Sequence, residues 1–374
     1  MGAAHQGGLE LPAGTEDRMS EQRLSDAVTI DIHCHVMTPE CEELARPFFT
    51  PDKDPFSLYQ EESTAEYNRR HLADIVPKMS LPEVRLRDMD RMGVDVQAIS
   101  VMPPQYYYWA EPELGARLAA LQNDNLAKIV ADHPDRFVGL GTVPMQDVPA
   151  AIAELDRIVD AFGFTGIEIC TSVNGEDYDH PKFAPFFVRV QELDLLVVMH
   201  PNGYSDGRRL AAYYLINTVG MPMDSTVAIS RLIFGGVLER NPGLRICVVH
   251  GGGYLPSYPA RFDHAYHARD DCREHITRPP SEYLRRLYFD TMVFDAGDLG
   301  RLIARYGSDH VLMGTDYPYD MGEDDPVGFV MSVEGLSEVD RSRVLGGNAA
   351  ELLRLDRRSA RPAASETASV SKEG

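Results

Sequence analysis

Four apolar runs in this 374-residue chain each end in a side chain that can bind a metal. They are Ile30-Asp31-Ile32-His33-Cys34-His35, Val197-Val198-Met199-His200-Pro201, Ile246-Cys247-Val248-Val249-His250 and Val311-Leu312-Met313-Gly314-Thr315-Asp316. Continuous apolar runs of this length mark strands covered on both faces, the pattern of a parallel sheet. In a closed parallel barrel the C-terminal ends of all strands meet at one face, so these distant residues converge there. Four imidazoles and a carboxylate at one spot make a divalent-metal site.

The intervening sequence fits that architecture. Strand-like segments at 29–33, 94–101, 136–143, 164–170, 195–200, 244–250, 286–291 and 310–315 alternate with helix-like segments at 82–92, 113–132, 149–162, 183–193, 225–240, 260–274 and 297–306. About eight such repeats predict an α/β fold, a (β/α)8 TIM barrel. An open doubly wound sheet is the competitor, and the lack of a G-x-G-x-x-G after the first strand weakens its dinucleotide-binding form. Residues 37–80 break the rhythm and read as an insertion after strand 1, a small lid or an oligomer contact. The barrel domain is expected over 26–357, with disordered tails at 1–25 and 358–374 and a last helical piece, 337–355, packed outside the barrel.

Charge and cysteine usage narrow the partners. The formal net charge of -22 argues against nucleic acid and anionic membranes. It also repels anionic substrates at long range, so an acid-binding site needs its own arginines. The five cysteines are odd in number and include no C-x-x-C, which fits free thiols in a reducing compartment. Residues 1–25 have no apolar core of a signal peptide, and no run of about 18 apolar residues occurs, so a cytoplasmic protein is expected.

Within the runs, His33 and His35 stand at i and i+2 of a strand, so both rings share a face and Cys34 takes the other. Asp31 falls on the same alternation, either as a hydrogen-bond partner for a ligating ring or as a buried structural carboxylate. Pro201 stops the strand behind His200, which taken alone is an ordinary rim residue. His250 precedes Gly251-Gly252-Gly253, where the backbone can turn tightly and approach a ligand. This places an acid/base group beside bound substrate, although a plain strand-to-helix turn has the same look. Asp316 sits in an Asp-x-Pro turn and can ligate the ion or accept a proton from its water. A protein-bound metal with an open position brings the pKa of its water to roughly 7.

These phrases resemble the amidohydrolase superfamily, and within it the branch of metal-dependent decarboxylases that includes 2-amino-3-carboxymuconate-6-semialdehyde decarboxylase. The resemblance runs from about Thr29 to Leu355. It is carried by Asp-Ile-His-Cys-His, Asp88-Met89-Asp90-Arg91-Met92-Gly93-Val94, Val143-Pro144-Met145-Gln146-Asp147, His200-Pro201 and His250-Gly251-Gly252-Gly253. It continues in Arg278-Pro279-Pro280-Ser281-Glu282-Tyr283, Gly314-Thr315-Asp316-Tyr317-Pro318 and Gly346-Gly347-Asn348-Ala349-Ala350. It implies one Zn2+ per chain, with Mn2+ or Fe2+ as alternatives, held by His33, His35, His200 and Asp316, and a proton-relaying His250. It implies a homodimer in which arginines matching Arg261 and Arg269 clamp a substrate carboxylate, one of them supplied across the interface; their spacing puts both on broadly one side of a helix. Two positions depart from the pattern. The family's arginine from the insertion has no clean counterpart, Arg69 or Arg70 being the candidates, and Asn202 stands where the decarboxylase has an aromatic residue. Trp109, at the end of Tyr106-Tyr107-Tyr108-Trp109, can stack a flat substrate or prop the insertion.

The expected function is decarboxylation of a small unsaturated or aromatic carboxylic acid. Hydrolysis of a C–C, C–N or lactone bond, or hydration of an unsaturated dicarboxylate, is the alternative in the same superfamily. Strand 4 has no lysine to bridge two metals, which favours one ion, while Glu168 could bridge a second if it faced inward. A non-catalytic barrel with a structural ion is the remaining class, but structural zinc sites favour four closed ligands, often cysteine.

Overall fold

All eight apolar runs form strands in the computed structural model, which describes residues 28–355. In chain order they are β1 (Ile30–Val36), β2 (Val96–Val101), β3 (Phe137–Gly141), β4 (Gly166–Cys170), β5 (Leu196–His200), β6 (Arg245–Val248), β7 (Tyr288–Asp290) and β8 (Val311–Leu312). Each strand pairs in parallel with the next in sequence, giving one sheet of order β1 to β8. Hydrogen bonds from Ile32 N to Met313 O and from His35 N to Tyr317 O, at 2.9 and 2.8 Å, bring β1 back to the β8 segment. The fold is the (β/α)8 TIM barrel that the alternation predicts.

Two apolar layers hold it. Ile30, Ile32, Val96, Ala98, Leu140, Leu196, Val198, Cys247, Val249 and Leu312 pack together in one cluster. A larger cluster joins the opposite strand faces, among them Ile99, Ile167, Val197, Ile246 and Val311, to the surrounding helices. Local signals set the helix ends. The helix Val148–Phe162 starts where Asp147 accepts a hydrogen bond from Ala150 N, with proline in the first turn, and stops at Gly163 with φ 67°.

Several boundaries differ from the sequence expectation. The helix expected over 225–240 divides into Met221–Phe234 and Val237–Arg240, because Gly236 takes φ 71° between them. The helix expected over 260–274 is Pro259–Ala268 and ends when Arg269 turns extended. The final piece is only partly peripheral, its helix Glu338–Ser342 burying no residue while its C-terminal end turns inward. Ala349, Ala350, Leu352 and Leu353 join the cluster of Ile30, Ile32 and Leu312, so that end packs against the barrel's own core. The insertion is helical, with helices Pro39–Ala45, Pro55–Leu58 and Glu62–Ser80. Asp54 of the insertion is tied to Asn202 after β5 at 2.6 Å, and Glu61 N to Ala211 O at 3.0 Å. The expected tails lie outside the described residues. Among those described, no helix is long and apolar enough to cross a membrane.

Candidate metal centre

The strand ends deliver their histidines to one point. Ring centroids of His33 and His35 are 5.2 Å apart, of His33 and His200 4.9 Å, of His35 and His200 4.8 Å, and of His200 and His250 5.0 Å. Asp316 enters from the β8 segment: its Oδ1 lies 3.3 Å from His33 Nε2 and 3.2 Å from His35 Nε2, and its Oδ2 lies 3.7 Å from His250 Nε2. One donor atom from each of His33, His200, His250 and Asp316 falls within a 4.8 Å cluster, and His35 adjoins it.

Backbone geometry at the site is constrained. The β1–β2 register shifts between Asp31 and Cys34. Asp31 therefore leaves the alternation expected for it: its carboxylate accepts from Gln97 Nε2, Thr315 Oγ1 and His33 N rather than from a ligating ring. His250 and Asp316 both take left-handed φ values, 55° and 54°. Such positions are sparsely populated for residues with a Cβ and are retained where the surroundings enforce them. At His250 the enforcement is visible. The strand ends at Val248, two residues short of expectation, and Gly252 follows with φ 78°, where a Cβ would meet Phe289 and Pro256 within 2.7 Å. Gly314 likewise leaves room for His33 and Asp290, whose Cβ atoms lie 2.9 and 3.2 Å from the place its own would occupy.

Hydrogen bonding sets the ring tautomers. His33 Nδ1 faces Asp290 Oδ2 at 2.7 Å, His35 Nδ1 faces Val101 O at 3.2 Å, and His200 Nδ1 faces Pro201 O at 2.6 Å. These acceptors have no proton to give, so each Nδ1 carries the hydrogen and each Nε2 keeps a lone pair, those of His33 and His35 facing Asp316. The Nε2 atoms of His33 and His200 are buried without a hydrogen-bond partner. Lone pairs facing a carboxylate repel unless a proton or a cation stands between them. Burial pushes His33 down, yet Asp316 and Asp290 outweigh it and hold the ring well above the usual imidazole range. Burial, with His35 and His33 as neighbours, drives His200 well below that range. Burial raises Asp316, but His33, His250 and His35 outweigh it and hold the carboxyl well below the carboxylate range. The donor set fits one divalent cation.

Glu168 does face inward, but its two oxygens accept from Ser100 Oγ and Tyr106 OH, each at 2.8 Å. Both are thereby engaged within the chain rather than offered to a second ion.

A cavity of about 690 Å³ opens over the centre, lined by His200, His250, Asp316, Met102, Phe49, Phe56, Trp109, Tyr319, Arg46 and Arg69 among others. Trp109 is half-buried on its wall, its ring 5.6 Å from that of Phe49 with Lys53 over its face. Arg70 does not line it, and Arg69 is paired with Glu62 at 3.0 Å. Arg261 and Arg269 are exposed and absent from its wall. They do not share a helix face either, since Arg269 lies beyond the helix end and pairs with Asp271 at 2.7 Å. Three cavity or support residues escaped the sequence reading: Asp290, Arg46 and Tyr319. Asp290 had a signal, because Leu287-Tyr288-Phe289-Asp290 is another apolar run ending in a metal-site side chain.

Comparison with known proteins agrees with this geometry. Residues 30–355 match the Amidohydrolase family. The chain is 38% identical over 276 residues to 2-amino-3-carboxymuconate-6-semialdehyde decarboxylase of Dictyostelium discoideum, covering 74% of this chain and 77% of that protein. It is 30% identical over 303 residues to gamma-resorcylate decarboxylase of Rhodococcus jostii, covering 75% and 89%. Among solved structures, 5-carboxyvanillate decarboxylase from Sphingomonas paucimobilis superimposes with a TM-score of 0.79 at 27% identity, over 88% of this chain and all of that one. A dihydroxybenzoic acid decarboxylase from Polaromonas, solved with bound manganese, gives 0.74 at 25% identity over 88% and 97%. With a match running from β1 to the last described residue, the chain belongs to the Amidohydrolase family.

Proposed function

We propose that this protein is a metal-dependent decarboxylase of a small aromatic or unsaturated carboxylic acid. The observation that carries the reading is the convergence of three inward-facing imidazole lone pairs and Asp316 beside a fourth imidazole, His250, under a cavity that holds an arginine. His33, His35, His200 and Asp316 would hold one divalent ion, Zn2+ or Mn2+. When bound, such an ion acts as a Lewis acid toward substrate oxygen or water.

The chain's own groups account for the rest of the chemistry. Arg46 lines the cavity and makes no ion pair among the described residues, so it is the in-chain anchor for the substrate carboxylate. Trp109, Phe49 and Met102 give the flat apolar surface on which an unsaturated or aromatic skeleton packs and from which water is displaced. Decarboxylation breaks one C–C bond, leaves its electron pair on the substrate carbon and replaces carbon dioxide by a proton. His250, whose side chain is 17% exposed at the cavity floor, is placed to hold and deliver that proton at its ring nitrogen. We further read the protein as a cytoplasmic homodimer in which Arg261 of one subunit completes the carboxylate clamp of the other.

The test is carbon dioxide release by metal-loaded protein over carboxymuconate semialdehydes, hydroxybenzoates and unsaturated dicarboxylates, with a chelated control. Metal-dependent release from a member supports the reading. Hydrolysis or hydration of a member without release overturns it and leaves the metal site standing.

A further inference from the structure

Arg85, in the helix Pro82–Met92, is 2% exposed and makes no ion pair among the described residues. A buried guanidinium without a carboxylate against it is costly unless each face and N–H is satisfied. Arg85 finds its partners on β1 and the β8 segment, which carry metal donors, and on β2. One terminal nitrogen donates to the carbonyl oxygen of His35. The other donates to Gln97 Oε1 on β2 at 2.9 Å. Its plane lies 4.8 Å over the ring of Tyr317, the residue after Asp316.

The contacts extend past these first partners. Gln97 Nε2 donates to Asp31 Oδ2 at 2.9 Å, and Asp31 in turn accepts from Thr315 Oγ1 at 2.6 Å and from His33 N at 3.0 Å. Tyr317 accepts from His35 N at 2.8 Å through its backbone oxygen. Its hydroxyl donates to Asp88 Oδ2 at 2.8 Å, one helical turn beyond Arg85. One planar cation behind the barrel wall thus fastens the peptide of His35 and the turn that holds Asp316 in its left-handed conformation.

We propose that Arg85 is a positioning residue for the metal centre, holding His35 and Asp316 in ligating geometry before an ion arrives. The inference rests on the reading of the centre as a metal site. Lysine at this position keeps the charge and loses the plane and the fork, so it cannot span His35 and Gln97 while covering Tyr317. Groups that orient metal ligands from behind alter affinity by about 10- to 100-fold when changed.

The experiment uses the full chain, stripped of metal and titrated with Co2+ against a competing chelator. The visible absorption of bound Co2+ is recorded, and the thermal midpoint of the stripped protein is measured beside it. Arg85→Lys is expected to weaken Co2+ by about 10- to 100-fold and to change the spectrum while the stripped midpoint stays near that of the parent. Parental affinity with a parental spectrum overturns the proposal. So does weaker binding that follows a lowered midpoint while the spectrum is unchanged, which is the signature of a purely structural role. Gln97→Leu carries the same readouts where Arg85→Lys does not fold, and an unchanged affinity and spectrum there also overturns it. A parent chain that binds no Co2+ sinks the metal-site reading itself, a result distinct from any variant effect.

Discussion

Oδ2 of Asp290 lies 2.7 Å from Nδ1 of His33, and the other oxygen of the same carboxylate accepts from Gly251 N at 2.7 Å. A single side chain at the end of β7 thereby sets the ring of one metal donor and the turn that carries His250. Burial raises the Asp290 carboxyl, but the His33 contact outweighs it and keeps the group below the usual range, so it stays an acceptor. Asp290→Ala is expected to lower metal affinity about 10- to 100-fold, read as metal retained after dialysis against a weak chelator. It is also expected to reduce turnover of the fully loaded protein, because the His250 turn loses its anchor. A variant with unchanged retention and unchanged turnover contradicts this.

His250→Ala leaves His33, His35, His200 and Asp316 in place. It is expected to keep the metal and the fold and to lose turnover by about 10²- to 10⁴-fold, the range for general acid–base groups. Metal analysis and steady-state kinetics on one preparation check both halves. Full activity in the variant removes His250 from the proton pathway.

Arg46→Ala removes a charge-assisted contact of about 1.5–3 kcal/mol. It should lower kcat/KM by about tenfold to a hundredfold, mainly through KM, while metal content is unchanged. In the homodimer reading, His250→Ala and Arg261→Ala are each inactive, yet their mixed dimer regains activity. In that dimer one site keeps its own His250 and receives Arg261 from the other chain. Coexpression with two distinct affinity tags, followed by assay of the doubly purified species, tests this; an inactive mixed dimer excludes a shared site.

Metal removal should act on stability as well as activity. An ion that binds the folded chain alone stabilises it by about 2.7 kcal/mol when free ion is one hundred times Kd. The unfolding midpoint of stripped protein should therefore begin to rise near the Kd read from activity and climb with the logarithm of free ion above it. A midpoint indifferent to the ion would contradict the site.

Asp224 gives a pH dependence away from the centre. Burial pushes its carboxyl up to about 6, although Thr171 donates to it. The folded chain then binds more protons than the unfolded one between the ordinary value of 3.8 and about 6. Stability from this group is full below that window, falls through it and stays reduced above it. Asp224→Asn keeps an acceptor for Thr171 and removes the charge. Its gain over the parent should be near zero at pH 4 and approach roughly 3 kcal/mol at most by pH 8, measured by urea unfolding at both values. An equal difference at the two pH values contradicts the assignment.

The barrel and most of its donors were readable because the same physics writes both. Strands covered on two faces must be apolar throughout, so a His or Asp at the end of such a run stands out. What escaped depended on geometry without a local signature. The register shift between Asp31 and Cys34 turns Asp31 away from the rings, and nothing in Asp-Ile-His announces it. The helix at 259 ends at Ala268 with no Gly or Pro to mark the stop, so the spacing of Arg261 and Arg269 implies a shared face that Arg269 never joins. Arg46 sits in an insertion with no periodic pattern, and only the folding of residues 39–80 over the strand ends brings it to the cavity wall. Asp290 follows the same rule as the other four runs, but β7 has just three residues, so the apolar run that announces it is short.

The closure of β1 on the β8 segment has a consequence for how the chain is made. His35 and Asp316, 3.2 Å apart, are separated by 281 residues, and the core under β1 also recruits Ala349 to Leu353. A nascent chain on the ribosome therefore carries His33 and His35 through the synthesis of 281 further residues before their carboxylate partner is made. Metal capture at this centre waits for the β8 segment, and a chain cut short before Val311 would hold histidines but no centre.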